Sequence, residues 1–196
     1  GVSPENLDSG KHEPQTVDQA VATSDALTML KNPTNSPTIA SRKVAVLCAD
    51  GVSEASVMNI KSALLKQDAK GCIIAPHLGS VLTDSDGAIH VDFSFLTASS
   101  VLFDAVYVAD GLGVKVLIDN DDVNEFLTDA YKHCKVIGAD GEAINVINAA
   151  PFAAKITNED EGIILSGDAA SDAFAQEFIA AMGKHRIWDR EKNVYN

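Results

Sequence analysis

Val44-Ala45-Val46-Leu47-Cys48, followed at once by Ala49-Asp50-Gly51, is the stretch on which the fold of this chain turns. The apolar run is too short for an ordinary helix. It fits a strand buried on both faces, as in parallel sheets. Asp-Gly is a turn signal, and Ser53 then stands where a helix N-cap is expected. Beyond it, Val57, Ile60, Leu64 and Leu65 recur at helical spacing on one face. A second apolar run, Gly71-Cys72-Ile73-Ile74-Ala75-Pro76, follows at the distance that a βαβ unit requires.

Outward from this unit the alternation continues. Residues 80–92 read as a hairpin, Val81-Leu82 and Ile89-His90-Val91 flanking the turn Asp84-Ser85-Asp86-Gly87. Asp104-Ala105-Val106-Tyr107-Val108-Ala109 is a third buried strand, ending at Asp110-Gly111. Residues 121–134 predict a helix with Val123, Phe126, Leu127, Ala130 and Tyr131 on one face, its start marked by Asn120-Asp121-Asp122. Lys135-Val136-Ile137-Gly138 predicts a fourth strand leading into Ala139-Asp140-Gly141 and a helix over 142–149. Gly162-Ile163-Ile164-Leu165-Ser166 is the fifth, before a helix carrying Phe174, Phe178, Ala181 and Met182 and closed by Gly183. Strands alternating with helices predict an α/β fold, a doubly wound, mainly parallel sheet covered by helices on both faces.

The first 41 residues differ in texture. Pro4, Pro14, Pro33 and Pro37 punctuate them, and only residues 17–30 carry a sparse apolar face, Val21, Ala26, Leu27 and Leu30. They predict a linker with a short helix, then a domain over 42–187 and a tail over 188–196. The first residues hold neither a basic region nor an apolar core of the signal-peptide kind. No apolar run approaches the length needed to span a bilayer.

The formal net charge of −13 argues against nucleic-acid binding, which relies on clustered Lys and Arg, and against an anionic membrane surface. Cys48, Cys72 and Cys134 show no CxxC spacing and read as small buried hydrophobes. Histidines 12, 77, 90, 133 and 185 form no HExxH or close pair, so no metal site is expected. No GxGxxG, GxxxxGK[ST] or GxSxG motif follows a strand. Asp50, Asp110 and Asp140 each end a strand, where an open α/β sheet gathers its ligands. A carboxylate cluster there could hold a metal or transfer protons. Asp-Gly is also the ordinary chemistry for leaving a strand and starting a helix, and that reading is preferred.

Taken in order, Arg42-Lys43-Val44-Ala45-Val46-Leu47 through Asp50-Gly51-Val52, Ala105-Val106-Tyr107-Val108-Ala109-Asp110-Gly111 and the close His185-Arg186-Ile187-Trp188-Asp189-Arg190 resemble the flavodoxin-like domain at the C-terminus of large-subunit haem catalases. The resemblance covers residues 41–190. By fold it implies membership of the class I glutamine amidotransferase-like superfamily, beside PfpI-type proteases and deglycases. Those enzymes place a Cys on a strand-to-helix elbow of the type x-Cys-x-Gly. The matching residues here are Gly138-Ala139-Asp140-Gly141, with Ala139 at the nucleophile, or Gly138 if the register shifts by one. The superfamily's partner carboxylate matches Ser56. Glu54 lies two residues away, about 200° round the helix at 3.6 residues per turn.

The resemblance therefore implies a domain without catalytic residues, binding no cofactor itself. Haem and hydrogen peroxide disproportionation belong to the rest of the catalase. The implied partners are the catalase core and sister subunits of a homotetramer. Holdase activity toward unfolded client proteins is a further expectation, since an apolar face that meets the core would be uncovered here. The alternative is a surviving cysteine-dependent deglycase or amidase using Cys48, Cys72 or Cys134. A nucleotide or flavin binder is suggested by fold alone.

Overall fold

A computed structural model describes residues 37–194. The short helix expected over 17–30 lies outside the described residues. The central sheet has six parallel strands in the order β5-β2-β1-β6-β7-β8. They are β1 (Lys43–Leu47), β2 (Lys70–Ala75), β5 (Phe93–Ser94), β6 (Ala105–Val108), β7 (Val136–Asp140) and β8 (Ile163–Ser166). Leaving aside β5, this is the strand order of a flavodoxin-like sheet. A separate antiparallel pair, β3 (Gly79–Leu82) and β4 (Ala88–Val91), forms the expected hairpin. Its turn carries Asp86 at φ 60°, a left-handed position that Asp tolerates better than most residues.

The continuous apolar runs are explained by burial on both sides. Along β1, Val44 and Val46 join one core with Ile73 and Tyr107, while Ala45 and Leu47 join another with Ile74 and Val106. Helix α1 (Glu54–Leu65) and α5 (Asp172–Gly183) cover the first side through Val57, Ile60, Leu64, Phe174 and Phe178. Helices α2 (Val114–Ile118), α3 (Asp121–Lys132) and α4 (Ile144–Ala149) cover the second through Leu117, Val123, Phe126, Leu127 and Val146. No helix among the described residues is long and apolar enough to cross a membrane.

Local chemistry sets the ends. Ser53 caps α1 by accepting from the Ser56 amide, and Asn120 caps α3 by accepting from the amides of Asp122 and Val123. The helix expected over 142–149 opens as a 3₁₀ turn, Gly141–Ala143, before α4. Strand β5 has only two residues and was not visible in the sequence. The Asp92 side chain accepts from the Ile73 amide at 2.8 Å and holds it against β2.

Both ends of the domain are tied in. Ile39 is buried in the first core. The segment after Ile187, expected as a tail, ends in a short helix α6 (Glu191–Val194) and is anchored by Arg190. The Arg190 guanidinium is fully buried and grips Asp160 with two parallel bonds, Nε–Oδ2 at 2.7 Å and Nη2–Oδ1 at 2.8 Å. Its Nη1 donates to the Lys135 carbonyl, and its Cζ lies over the Tyr131 ring, 4.7 Å from the ring centre.

Candidate functional site

The carboxyl ends of β1, β6, β7 and β8 meet where ligands collect in open α/β sheets. The three Ala-Asp-Gly turns converge there but do three different things. Asp50 is exposed, accepts from the Leu82 amide at 2.9 Å and stands 3.8 Å from the His77 ring. It fastens the hairpin to the end of β1. Asp110 accepts from the Glu142 amide at 2.8 Å, while its carbonyl accepts from the Ser53 amide at 2.7 Å. Asp140 is fully buried.

Asp140 is the centre of the site. Its Oδ1 accepts from the Tyr107 hydroxyl at 2.7 Å and the Asp110 amide at 3.2 Å. Its Oδ2 accepts from the Ser56 hydroxyl at 3.0 Å and the Ala170 amide at 2.7 Å. One carboxyl group thus ties β7 to β6, to α1 and to the loop before α5. Burial, and next the adjacent Asp140, push the Tyr107 hydroxyl far above its usual range, so it serves as a fixed hydrogen-bond donor. Sequence reasoning grouped Asp140 with the turn residues. The signal it missed is that Asp140 still belongs to β7, paired with Ser166 of β8, so its side chain points into the protein.

The same register places the residues matched to the elbow. Ala139 and Gly138 were the expected nucleophile positions, but both lie inside β7, where Ala139 is buried. A Cβ on Gly138 would meet the Phe178 ring at 2.7 Å. The sharp turn falls at Gly141, the residue after the strand, with φ 54°. A side chain there is barred twice: by the left-handed backbone, and by the Asp110 carboxylate oxygens 2.7 Å from where its Cβ would stand. The Ser56 hydroxyl, at the position matched to the superfamily's carboxylate, donates to Asp140. Glu54 turns the other way and accepts from Thr83 at 3.1 Å and from Ser85 in the hairpin.

The cysteines offer no substitute. All three are buried. Burial, reinforced by Asp50, pushes the Cys48 thiol up to about 12, and burial raises Cys72 and Cys134 as well. A thiol held protonated is a poor nucleophile. Nor is the first helix free to hold a phosphate. The Asp84 carboxylate accepts from the Glu54 amide at 3.0 Å, and the Ser53 hydroxyl accepts from the Ser56 amide. The α1 N-terminus, the usual phosphate cradle in doubly wound folds, is stoppered by the protein's own side chains. Gly111, at φ 132°, packs so closely on the β1 loop that a Cβ would stand 2.7 Å from the Cα of Val52. No group of three or more His, Cys, Asp or Glu among the described residues is arranged to hold a metal ion.

The described tyrosines do not fit a haem ligand either. The Tyr107 hydroxyl is held by Asp140, and the Tyr131 hydroxyl donates to the Lys155 carbonyl at 3.0 Å while its ring stacks on Phe152. Through the bonds to Asp140 the site cross-links four elements.

The profile of the C-terminal domain found in long catalases matches residues 40–192. Catalase HPII of Mycobacterium avium is 36% identical over 190 residues, covering 92% of this chain and 27% of that protein. Catalase-2 of Bacillus subtilis is 37% identical over 154 residues, covering 78% of this chain and 21% of that protein. The chain therefore spans about a quarter of the length of these relatives. Among solved structures, a ThiJ/PfpI domain protein from Brachyspira murdochii superposes with a TM-score of 0.63 at 16% identity, covering 73% of this chain and 97% of that one. This likeness shows the fold. The family profile and the two catalases show the rest: the chain belongs to the C-terminal domains of long catalases.

Proposed function

We propose that this chain is the non-catalytic C-terminal domain of a longer haem catalase, and that it stabilises the assembled tetramer. The observation that carries the reading is the Gly141 elbow above a buried Asp140. The position where a thiol enzyme of this architecture would keep its nucleophile has no side chain, and the Ser56 and Tyr107 hydroxyls and the Asp110 and Ala170 amides beside it are already paired with Asp140. In this reading haem and hydrogen peroxide disproportionation reside in the remainder of the catalase. The domain contributes packing surface against that core and its sister subunits.

The test compares the full-length catalase with a version truncated before this domain. The proposal expects similar peroxide consumption per haem at low temperature, with a lower temperature for tetramer dissociation after truncation. Equal dissociation temperatures would remove the stabilising role.

A second reading, holdase activity toward unfolded clients, is favoured by one observation. Leu65, Leu96, Val101 and Leu112 are each more than two-thirds exposed, at 73%, 83%, 68% and 78%. Apolar side chains bind unfolded chains where they gather into a contiguous patch, and these four are the residues that would supply it. Thermal aggregation of an unrelated enzyme should then fall in proportion to added domain. No suppression at equal molarity would exclude this activity.

A further inference from the structure

On the second face of the sheet, away from the site above, α3 presents Asp122, Glu125 and Asp129 to a cavity of about 120 Å³. Phe95 and Phe126, with ring centres 6.5 Å apart, supply apolar wall, and Ser100 completes the lining used here. Ser100 is 1% exposed, and its hydroxyl oxygen has no hydrogen-bond partner. Its carbonyl is already taken by the ammonium of buried Lys135. A buried hydroxyl without a partner is costly, so its persistence beside an open hollow asks for a donor from outside. The neighbouring residues Leu96, Val101 and Leu102 are exposed.

We propose that this hollow is a subsite for a primary ammonium on an unbranched apolar stem, filled by a lysine side chain from a partner protein. Three carboxylates select a cation. The orphan Ser100 oxygen selects one with N–H donors, which a lysine ammonium supplies in three directions. The Phe95–Phe126 wall suits the methylene stem, which lysine buries while its charge meets polar groups. The exposed leucines and valine beside the hollow favour a lysine carried on a protein surface over a free amine. This inference is independent of the catalase reading, since any partner with such a lysine would satisfy it.

The test is a nuclear magnetic resonance titration of the isotope-labelled chain with the peptide acetyl-Ala-Lys-Ala-amide, at constant ionic strength. Amide shifts should be saturable and confined to residues 95–102 and 122–129. The same peptide carrying acetyl-lysine should bind at least about tenfold more weakly, as should the wild-type peptide to the double variant Glu125→Gln/Asp129→Asn. Ser100→Ala should weaken binding several-fold while leaving the thermal midpoint equal or higher, a combination that a purely structural serine would not give. Equal response to the acetyl-lysine peptide or to tetramethylammonium would overturn the proposal, as would unchanged binding by the double variant. Tighter binding of n-butylammonium or of the arginine peptide would overturn the assignment to a partner's lysine.

Discussion

Replacing Asp140 with Asn should unfold the domain several degrees earlier, and the size of the effect follows from hydrogen-bond geometry. Two of its four donors, the Tyr107 and Ser56 hydroxyls, can rotate and accept instead. The other two, the Asp110 and Ala170 amides, are fixed donors, one on each carboxyl oxygen. An Asn amide presents one oxygen and one NH₂. Whichever way it is flipped, the NH₂ faces one of those fixed amides. That leaves a buried N–H without an acceptor, at about 1–3 kcal/mol. The surviving bonds also lose the benefit of a charged acceptor, roughly halving their strength. Removing a carboxylate from a buried position offsets part of this. A net loss of about 3 kcal/mol lowers the midpoint of a domain this size by about 6–12 °C. Scanning calorimetry of Asp140→Asn beside Ser56→Ala provides the assay, the serine variant losing only about 1 kcal/mol. A midpoint for Asp140→Asn within about 2 °C of the parent would refute the view that this carboxyl group holds the strand ends together.

Arg190→Ala should cost about 3–5 kcal/mol in urea unfolding, because it strands the buried Asp160 carboxylate without its guanidinium partner. Gly141→Cys should not install a reactive thiol but should destabilise by about 1–3 kcal/mol from the left-handed backbone alone, measured by thermal midpoint and alkylation rate together. Lys135 is pushed down to about 8 from 10.5 by burial and then by Arg186, so between those values the unfolded chain holds a proton that the folded chain has released. Stability from this group therefore rises with pH across that window, and Lys135→Met should abolish that part of the slope in urea titrations. Native Cys48, Cys72 and Cys134 should alkylate slowly and together become reactive only on unfolding; one fast thiol in the folded protein would contradict their burial.

The fold was legible because burial on both faces writes itself as continuous apolar runs. Val44 to Cys48 and Ala105 to Ala109 could be nothing but parallel strands once a helical period lay between them. β5 escaped because its two residues carry no pattern, and it is set by tertiary contact with β2 and the Asp92 side chain. The site was half legible. Ser56, matched in the sequence to a carboxylate position, donates its hydroxyl to Asp140, a partner hidden by strand length. Ending β7 at Gly138 makes Asp140 a turn residue, whereas pairing with β8 carries the strand to Asp140 and turns its side chain inward. Strand ends depend on what the neighbouring strand offers, and local sequence does not contain that. Arg190 was seen as a motif residue, yet its role needed Asp160, thirty residues earlier in the chain and adjacent only after folding.

Asp140 and Asp84 have a common logic. A doubly wound fold is reactive at its strand ends for two reasons: a tight turn can expose a side chain, and a helix N-terminus offers unpaired amides to an anion. Here Gly141 removes the side chain from the turn, and Asp140 takes the nearby donors. Asp84 reaches from the hairpin to an amide at the start of α1. Both carboxylates come from the chain itself, so each acts intramolecularly, at a high effective concentration that a dissolved ligand must outcompete. A ligand would have to displace them and repair the strand ends they cross-link. An external partner therefore meets less resistance elsewhere on the domain, where apolar side chains stand uncovered and Ser100 still lacks a donor. Converting the binding end of the sheet into packing is what the proposed structural role requires.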